Sequence, residues 1–316
     1  MNNQNQHYLQ DLKNKLVEEF LKTGRIRKSG EKFGIPKSTA SDWIAEAGAI
    51  YDPIAAMKLA LQAEQKKSSI GKKILVIPDV QAKPGNCFKY LEAAGNYIVE
   101  KRPDVIVQIG DFADMPSLSS YDKGKKSAEN KRVKKDIEAA QEAMRSLMAP
   151  IQRCKGYSPE LHLTLGNHED RIDRFVDANA ELEGFLSMDS LGFKEFGWTV
   201  HDFKKVLMID GIAFSHYFYQ PNSGRPHGGT AASKLKNIGI SFVMGHQQGF
   251  DFACRELATG IKQFGLVAGS FYEHEEGYRG PQANGHWHGM VMLHEVKNGS
   301  ANICQVSLEL LKQRYL

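Results

Sequence analysis

The chain has 316 residues, 41% hydrophobic and 25% charged, with a formal net charge of +4. This composition describes a soluble globular protein long enough for one large or two modest domains. It excludes a membrane span, because no apolar run approaches the ~18 residues required, and the polar stretch from Met1 to Gln10 lacks the apolar core of a secretory signal. The four cysteines, Cys87, Cys154, Cys254 and Cys304, have no C-x-x-C spacing and read as reduced core thiols of a cytoplasmic protein, not as a disulfide or zinc framework. So small a net charge does not by itself argue for a nucleic-acid partner; its distribution is more useful.

In chain order, apolar positions at Leu9, Leu12, Leu16, Phe20 and Leu21 predict an amphipathic helix over residues 8–23, ended by Gly24. A short helix is expected from Ile26 to Phe33. Gly34 then suits a tight turn with positive φ, and Pro36 suits the start of a third helix. Ile35, Ala40, Trp43 and Ile44 would face a core, leaving Lys37, Ser38, Thr39 and Ser41 near the exposed start of that helix. The pattern resembles a helix-turn-helix, whose second helix enters the major groove by its N-terminal residues and which usually acts as a dimer. It implies DNA as partner and a homodimer as the form; a plain helical hairpin used for oligomerisation is the other reading. A helix over residues 53–66 and a basic linker from Gln65 to Lys73 follow. The expected domains are therefore 1–50 (helix-turn-helix), 51–71 (helix and linker) and 72–316.

The third region alternates apolar runs with polar words. Ile74 to Pro78 precedes Asp79-Val80-Gln81, and Val105 to Ile109 precedes Gly110-Asp111-Phe112-Ala113-Asp114. Leu161 to Leu165 precedes Gly166-Asn167-His168-Glu169. Ile212 to Phe214 precedes Ser215-His216, and Ile240 to Met244 precedes Gly245-His246-Gln247-Gln248. A buried strand ending in Asp, Asn or His puts that side chain at the carboxyl edge of a sheet, where open α/β sheets bind ligands. Helices are expected over Phe88 to Lys101 and from about Ala128 to Gln152, giving a βαβαβ order with parallel pairing. Shorter strands follow, including Thr199 to Val206 and Met290 to Leu293.

The five words in this order resemble the calcineurin-like metallophosphoesterases over residues 72 to 272. The resemblance implies an α/β fold, a two-sheet sandwich flanked by helices, with the small all-α domain at the N-terminus. It implies two divalent metals. Asp79 and Gln81 would hold the first, Asp111 would bridge, Asn167, His216 and His246 would complete the second, and Gln248 stands where the first metal's last ligand is expected. Such a pair clamps a phosphate and activates a water for in-line attack. His168 would protonate the leaving oxygen or stabilise its charge, and Asp114 would orient its neighbours. The family usually has His at positions 81 and 248. Glutamine offers an amide oxygen instead, so the first site should be weak and suit Mn²⁺ or Mg²⁺, while the second should hold Mn²⁺, Fe²⁺ or Zn²⁺; Mn²⁺ is the expected ion.

Three further groups are candidates for substrate contact. Arg171 and Arg174 would grip phosphate oxygens or pair with Asp170 and Asp173 on their own helix. Arg225 and His227 lie in a Gly/Pro-rich loop that would reach the site mouth or simply be solvated. His286 and His288 form a Gly-His-x-His word with three open readings: metal, substrate contact, or packing of Trp287. Lys123, Lys125, Lys126, Lys131 and Arg132, with Lys134 and Lys135, form a basic run after Asp114 that suits a phosphate backbone or is merely solvated. Together these predict a metal-dependent DNA phosphodiesterase, a nuclease targeted by its helix-turn-helix, a pairing that suits a phage or mobile-element genome. A protein or nucleotide phosphatase of the same fold is one rival; a DNA-binding protein with a weakened esterase domain is another.

Overall fold

The computed structural model describes residues 3–48, 71–121, 124–274 and 286–316. The expected helix over 53–66, most of the basic linker, and Lys123 lie outside the described residues. The chain divides into two compact units, Met1–Ile70 and Gly71–Leu316.

The first unit contains α1 (Asn3–Thr23), α2 (Ile26–Lys32) and α3 (Lys37–Glu46). Its core is Leu16, Phe20, Ile35, Ala40 and Ile44, with Leu12, Ile26, Phe33 and Trp43 packed against it. Gly34 takes φ +67 in the turn between α2 and α3, a conformation that costs glycine little. Pro36, at φ −56, precedes the first turn of α3, so no backbone N–H is lost. Lys37 and Ser38 are exposed, and Thr39 and Ser41 are half-buried.

In the second unit, β1 (Lys72–Ile77), α4 (Lys89–Lys101), β2 (Val105–Gln108), α5 (Val133–Arg153), β3 (Glu160–Thr164), α6 (Arg171–Ala178) and β4 (Thr199–His201) come first. Then follow β5 (Leu207–Ile209), β6 (Ile212–Phe214), α7 (Ala231–Ile238), β7 (Phe242–Met244), β8 (Phe250–Glu256), β9 (Lys262–Ala268), β10 (Gly289–Lys297), β11 (Ser300–Ser307) and α8 (Leu308–Tyr315). Among the described residues, one sheet runs β11-β10-β1-β2-β3-β4 and the other β5-β6-β7-β9-β8. Pairing is parallel from β1 to β4, and again for β6, β7 and β9.

Strand alternation builds the layers. Ile74 and Val76 of β1, with Val105 and Val107 of β2, pack against Ile212, Phe214, Val243 and Leu266 of the second sheet. Leu75, Ile77 and Ile106 face the other way, onto Leu91 and Ile98 of α4 and Met144 and Leu147 of α5. On the outer side of the second sheet, Ala213, Phe242 and Val267 meet Ala231 and Leu235 of α7. The result is two mixed sheets, face to face, flanked by helices: the expected α/β sandwich.

Several sequence expectations change. The helix after Asp114 starts at Val133, not Ala128, because residues 126–128 form a separate 3-10 turn and Asn130 takes φ +61. The strand expected over Thr199 to Val206 ends as β4 at His201; Lys204 takes φ +68 in the connection, and β5 starts only at Leu207, in the other sheet. The strand expected from Ile240 begins at Phe242, since Ile240 is exposed. The cysteines are free but are not core thiols: Cys87, Cys254 and Cys304 are exposed. Cys254 and Cys304 lie on β8 and β11, the edge strands of the two sheets, where the outward face is not covered.

Candidate two-metal centre

The loops that follow β1, β2, β3, β6 and β7 meet at one edge of the sandwich and are stitched by their own backbone. Val80 and Gln81 both donate to the carbonyl of Asp111, at 3.0 and 2.8 Å. The Gly245 N–H donates to the carbonyl of His216 at 3.1 Å, and the His246 N–H to Asp79 Oδ1 at 3.1 Å. Two glycines make the approach close enough. A Cβ on Gly166 would overlap Asp111 Oδ1, and one on Gly245 would overlap Asp79 Oδ1. Gln81, Asp111, His246 and Gln248 all sit in the left-handed region, at φ +48, +51, +68 and +60. Such conformations cost about 1–3 kcal/mol each and gather where function demands them.

Ligating atoms of Asp111, His216 and His246 lie within 4.8 Å of one another. His216 Nδ1 is 3.0 Å from the carbonyl oxygen of Ile109, which only a ring N–H can satisfy. His216 Nε2 then lies 3.0 Å from Asn167 Oδ1 and 3.2 Å from Asp111 Oδ2. Three lone-pair atoms converge, an arrangement that needs positive charge among them. A second proton can supply it: burial pushes His216 down, but the Asp111 carboxylate, Asp79 and the Ile109 carbonyl together more than offset this and hold the ring at about 9. A divalent cation supplies it equally well. Asp79 is fully buried, its Oδ2 has no hydrogen-bond partner, and burial pushes its pKa up to about 7. Burial opposes ionisation of Asp111 as well, but the imidazoles of His168 and His216 hold it well below the usual range. Burial, with His216 beside it, pushes His246 down to about 4, leaving it the neutral imidazole that a metal requires. An orphaned buried carboxylate oxygen beside converging N and O donors fits divalent metal ions.

The calcineurin-like phosphoesterase family model matches residues 72–267. The chain belongs to the calcineurin-like phosphoesterases. The "Gene 54 protein" of Mycobacterium phage D29 and that of Mycobacterium phage L5 are each 30% identical to it over 184 residues, covering 56% of this chain and 69% of theirs. The family uses divalent metals, and in this phosphoesterase the group Asp111, His216 and His246 is where one fits.

The two glutamines are buried at the same edge. Gln248 Oε1 accepts a hydrogen bond from the Tyr272 hydroxyl at 2.9 Å, and its backbone carbonyl accepts from the Trp287 N–H at 3.2 Å. The Tyr272 hydroxyl also meets His286 Nδ1 at 2.9 Å, and the Ser270 hydroxyl lies 3.1 Å from His288 Nδ1. His286 and His288 thus meet Tyr272 and Ser270 and are not part of the Asp111, His216 and His246 group.

His168 is set from two sides. Its Nδ1 lies 2.7 Å from Asp114 Oδ1, and Arg171 donates through Nη2 to its Nε2 at 3.1 Å. Arg171 is also tied to the Asp114 carbonyl at 2.7 Å, so it does not pair with Asp170 or Asp173. Arg174 does pair with Asp170, at 2.9 Å, and donates to the Asn167 carbonyl at 3.0 Å. Burial pushes His168 down, yet the Asp111 charge and the Asp114 hydrogen bond leave it raised overall. His227 lines a cavity with His246 and Gln247, whereas exposed Arg225 does not reach that lining. Lys125, Lys126 and Arg132 are exposed, and Lys131 is half-buried.

Two residues escaped the sequence reading. Glu169 is fully buried and accepts backbone N–H groups of Asp111, Ala113 and Gly166 at 3.0, 2.7 and 2.8 Å, locking the β2 and β3 loops together. It ends the Gly-Asn-His-Glu word, and its carboxylate there was the available signal. Lys234 on α7 is fully buried; its Nζ donates to Gln247 Oε1 at 2.9 Å and to the Gly229 carbonyl, and burial pushes its pKa down. A lysine on a helical surface carries no sequence signal for that role.

Proposed function

We propose that this phosphoesterase is a metal-dependent DNA phosphodiesterase, with the N-terminal three-helix unit acting as its DNA-targeting helix-turn-helix. The observation that carries the reading is the meeting of Asp79, Asp111, Asn167, His216 and His246 at one sheet edge with His168 held beside them. Bound at this edge, divalent ions supply Lewis-acid stabilisation of a phosphate and a nucleophile at neutral pH. Asp111, between His216 and His168, would bridge. Asp79, Gln81 and Gln248 would serve the first ion, and Asn167, His216 and His246 the second.

The chain's own acid is His168. Asp114 fixes the ring through Nδ1 and stabilises its charged form. In the neutral ring the Arg171 guanidinium covers Nε2. When a phosphate draws Arg171 to its oxygens, Nε2 is uncovered and can carry the proton for the leaving oxygen. Glu169 and Lys234 hold the loops without touching the reacting atoms. Support for DNA as substrate comes from the exposed start of α3 at Lys37 and Ser38, and from the basic stretch Lys125 to Arg132. Two phage relatives 30% identical over 184 residues fit an enzyme of a phage-like genome.

A second reading has one specific observation behind it. The Gln248 oxygen is engaged by Tyr272, and with Gln81 it replaces two imidazoles at one metal. This favours a DNA-binding protein with a weakened esterase. The deciding experiment incubates the protein with plasmid, linear and single-stranded DNA across Mg²⁺, Mn²⁺ and Zn²⁺, beside small phosphomonoester and phosphodiester reporters. Cleavage of DNA and of the diester is expected, strongest with Mn²⁺. Hydrolysis of the monoester alone would replace the nuclease by a phosphatase, and no turnover with any ion would leave the DNA-binding reading.

A further inference from the structure

Next to Asn167 lies a cavity of about 320 Å³, lined by Tyr121, Asn167, Arg174, Lys204 and Tyr217 among others. It shares a wall with the metal centre. The Tyr217 ring is 5.0 Å from that of His246 and 5.3 Å from that of Phe203, which lines the cavity. Asn167 belongs to both places: its Oδ1 faces His216 and its carbonyl accepts from Arg174. Arg174 pairs with Asp170 and Arg171 lies 3.5 Å from Asp114, which leaves the Lys204 ammonium as the lining charge in excess. The lining also carries an exposed aromatic ring, as Tyr121 is 81% exposed. Lys204 is held at φ +68, a strained backbone position for a lysine at the rim of a pocket.

Cations beside aromatic faces, one wall away from a phosphoester site, match a nucleotide: guanidinium and ammonium groups take phosphate oxygens, and a ring takes the face of a base. The volume is at the small end of ligand pockets, about 300–1,000 Å³. That volume matches about one unstacked nucleotide. Resting on the phosphodiesterase reading above, we infer that this cavity holds the nucleotide adjoining the scissile phosphate, with its base against Tyr121 and its phosphate on Arg174 and Lys204. The strand that enters is therefore single, or an unpaired end.

The test uses the full chain and measures binding in EDTA, apart from turnover. The probes are a thymidine tetranucleotide, its abasic counterpart, free deoxythymidine monophosphate, and a tetranucleotide bearing one 5-iododeoxyuridine for photo-crosslinking. The crosslink is expected on a peptide containing Tyr121. The abasic strand should bind roughly tenfold more weakly than the thymidine strand, and Tyr121→Ala should erase that difference. Lys204→Gln should weaken both strands by about tenfold. Free nucleotide that competes as well as the tetranucleotide would overturn the strand assignment. A crosslink confined to residues 1–48, or equal binding of the abasic and thymidine strands, would overturn the pocket even if DNA is cleaved in Mn²⁺. A correct crosslink with no DNA cleaved would overturn the nuclease and keep the nucleotide site.

Discussion

At the scale of single residues, His168 and the two glutamines separate chemistry from metal affinity. His168 contacts Asp114 and Arg171 and lies 3.7 Å from Asp111 Oδ2. Removing it should leave the ligands in place while the leaving oxygen loses its proton donor. His168→Ala should lower kcat by about 10²–10⁴-fold, with metal content by elemental analysis unchanged; loss of bound metal would refute the role. In the proposed assignment Gln81 and Gln248 would both serve the first metal, and the Gln248 oxygen is already engaged by Tyr272. Titration calorimetry on dialysed protein should therefore find one tight and one weak site, the weak one favouring Mn²⁺ or Mg²⁺. Gln81→His with Gln248→His should tighten the weak site and shift it toward Zn²⁺. Two equal, tight sites in the unaltered protein would refute this. The positions of these residues were legible, because each polar word ends an apolar run. The Tyr272 bond to Gln248 was not: the partners are 24 residues apart and nothing in their spacing joins them.

At the scale of elements, the β3–β4 edge carries a titrating pair away from the metal centre. His162 Nδ1 and His201 Nε2 are 3.1 Å apart, so the neutral pair shares one proton between two nitrogens. Burial pushes both rings down, and each acts on a ring that also meets local charge: Glu160 and Lys72 near His162, Asp202 and Lys205 near His201. The folded values lie below the ordinary 6.5, so the unfolded chain binds more protons in this range. Their contribution is complete above about pH 6.5 and is lost as pH falls through the lowered folded values. Thermal melts at pH 7.5 and 5.5 should show a larger loss on acidification for the unaltered protein than for His201→Gln. Equal losses would show that the pair does not titrate against folding. The apolar run Leu161 to Leu165 predicted β3, but not that His162 would find His201, since that contact depends on β4 joining parallel to β3 with Thr164 opposite His201.

At the scale of the whole molecule, the two units have separate cores: Leu16, Phe20, Ile35, Ala40 and Ile44 in one, the sandwich layers in the other. Deleting residues 1–70 should leave hydrolysis of a small diester intact, because every residue assigned to the metals lies in the second unit. If α3 reads the groove as proposed, affinity for duplex DNA should fall by about tenfold or more, with a shallower salt dependence. Unchanged affinity across several salt concentrations in a folded variant would move the first unit from DNA targeting to oligomerisation.

The sequence by itself determined the βαβαβ order of the first three strands, the family, and which polar side chains follow the buried strands, because a polar residue after an apolar run is a local property of the chain. It also placed the turn at Gly34 and the third helix after Pro36. Only the tertiary structure decided what those side chains meet. The break after His201 sends β4 and β5 into different sheets, and the cysteines of β8 and β11 become exposed because those strands lie at sheet edges. Glu169 could become the acceptor for three loop N–H groups, and Lys234 the prop beneath Gln247, only once loops distant in sequence were brought together. The cavity at Asn167 has the same origin, since Tyr121, Lys204 and Tyr217 come from three separate connections. Long-range packing sets such contacts, and no local pattern records them.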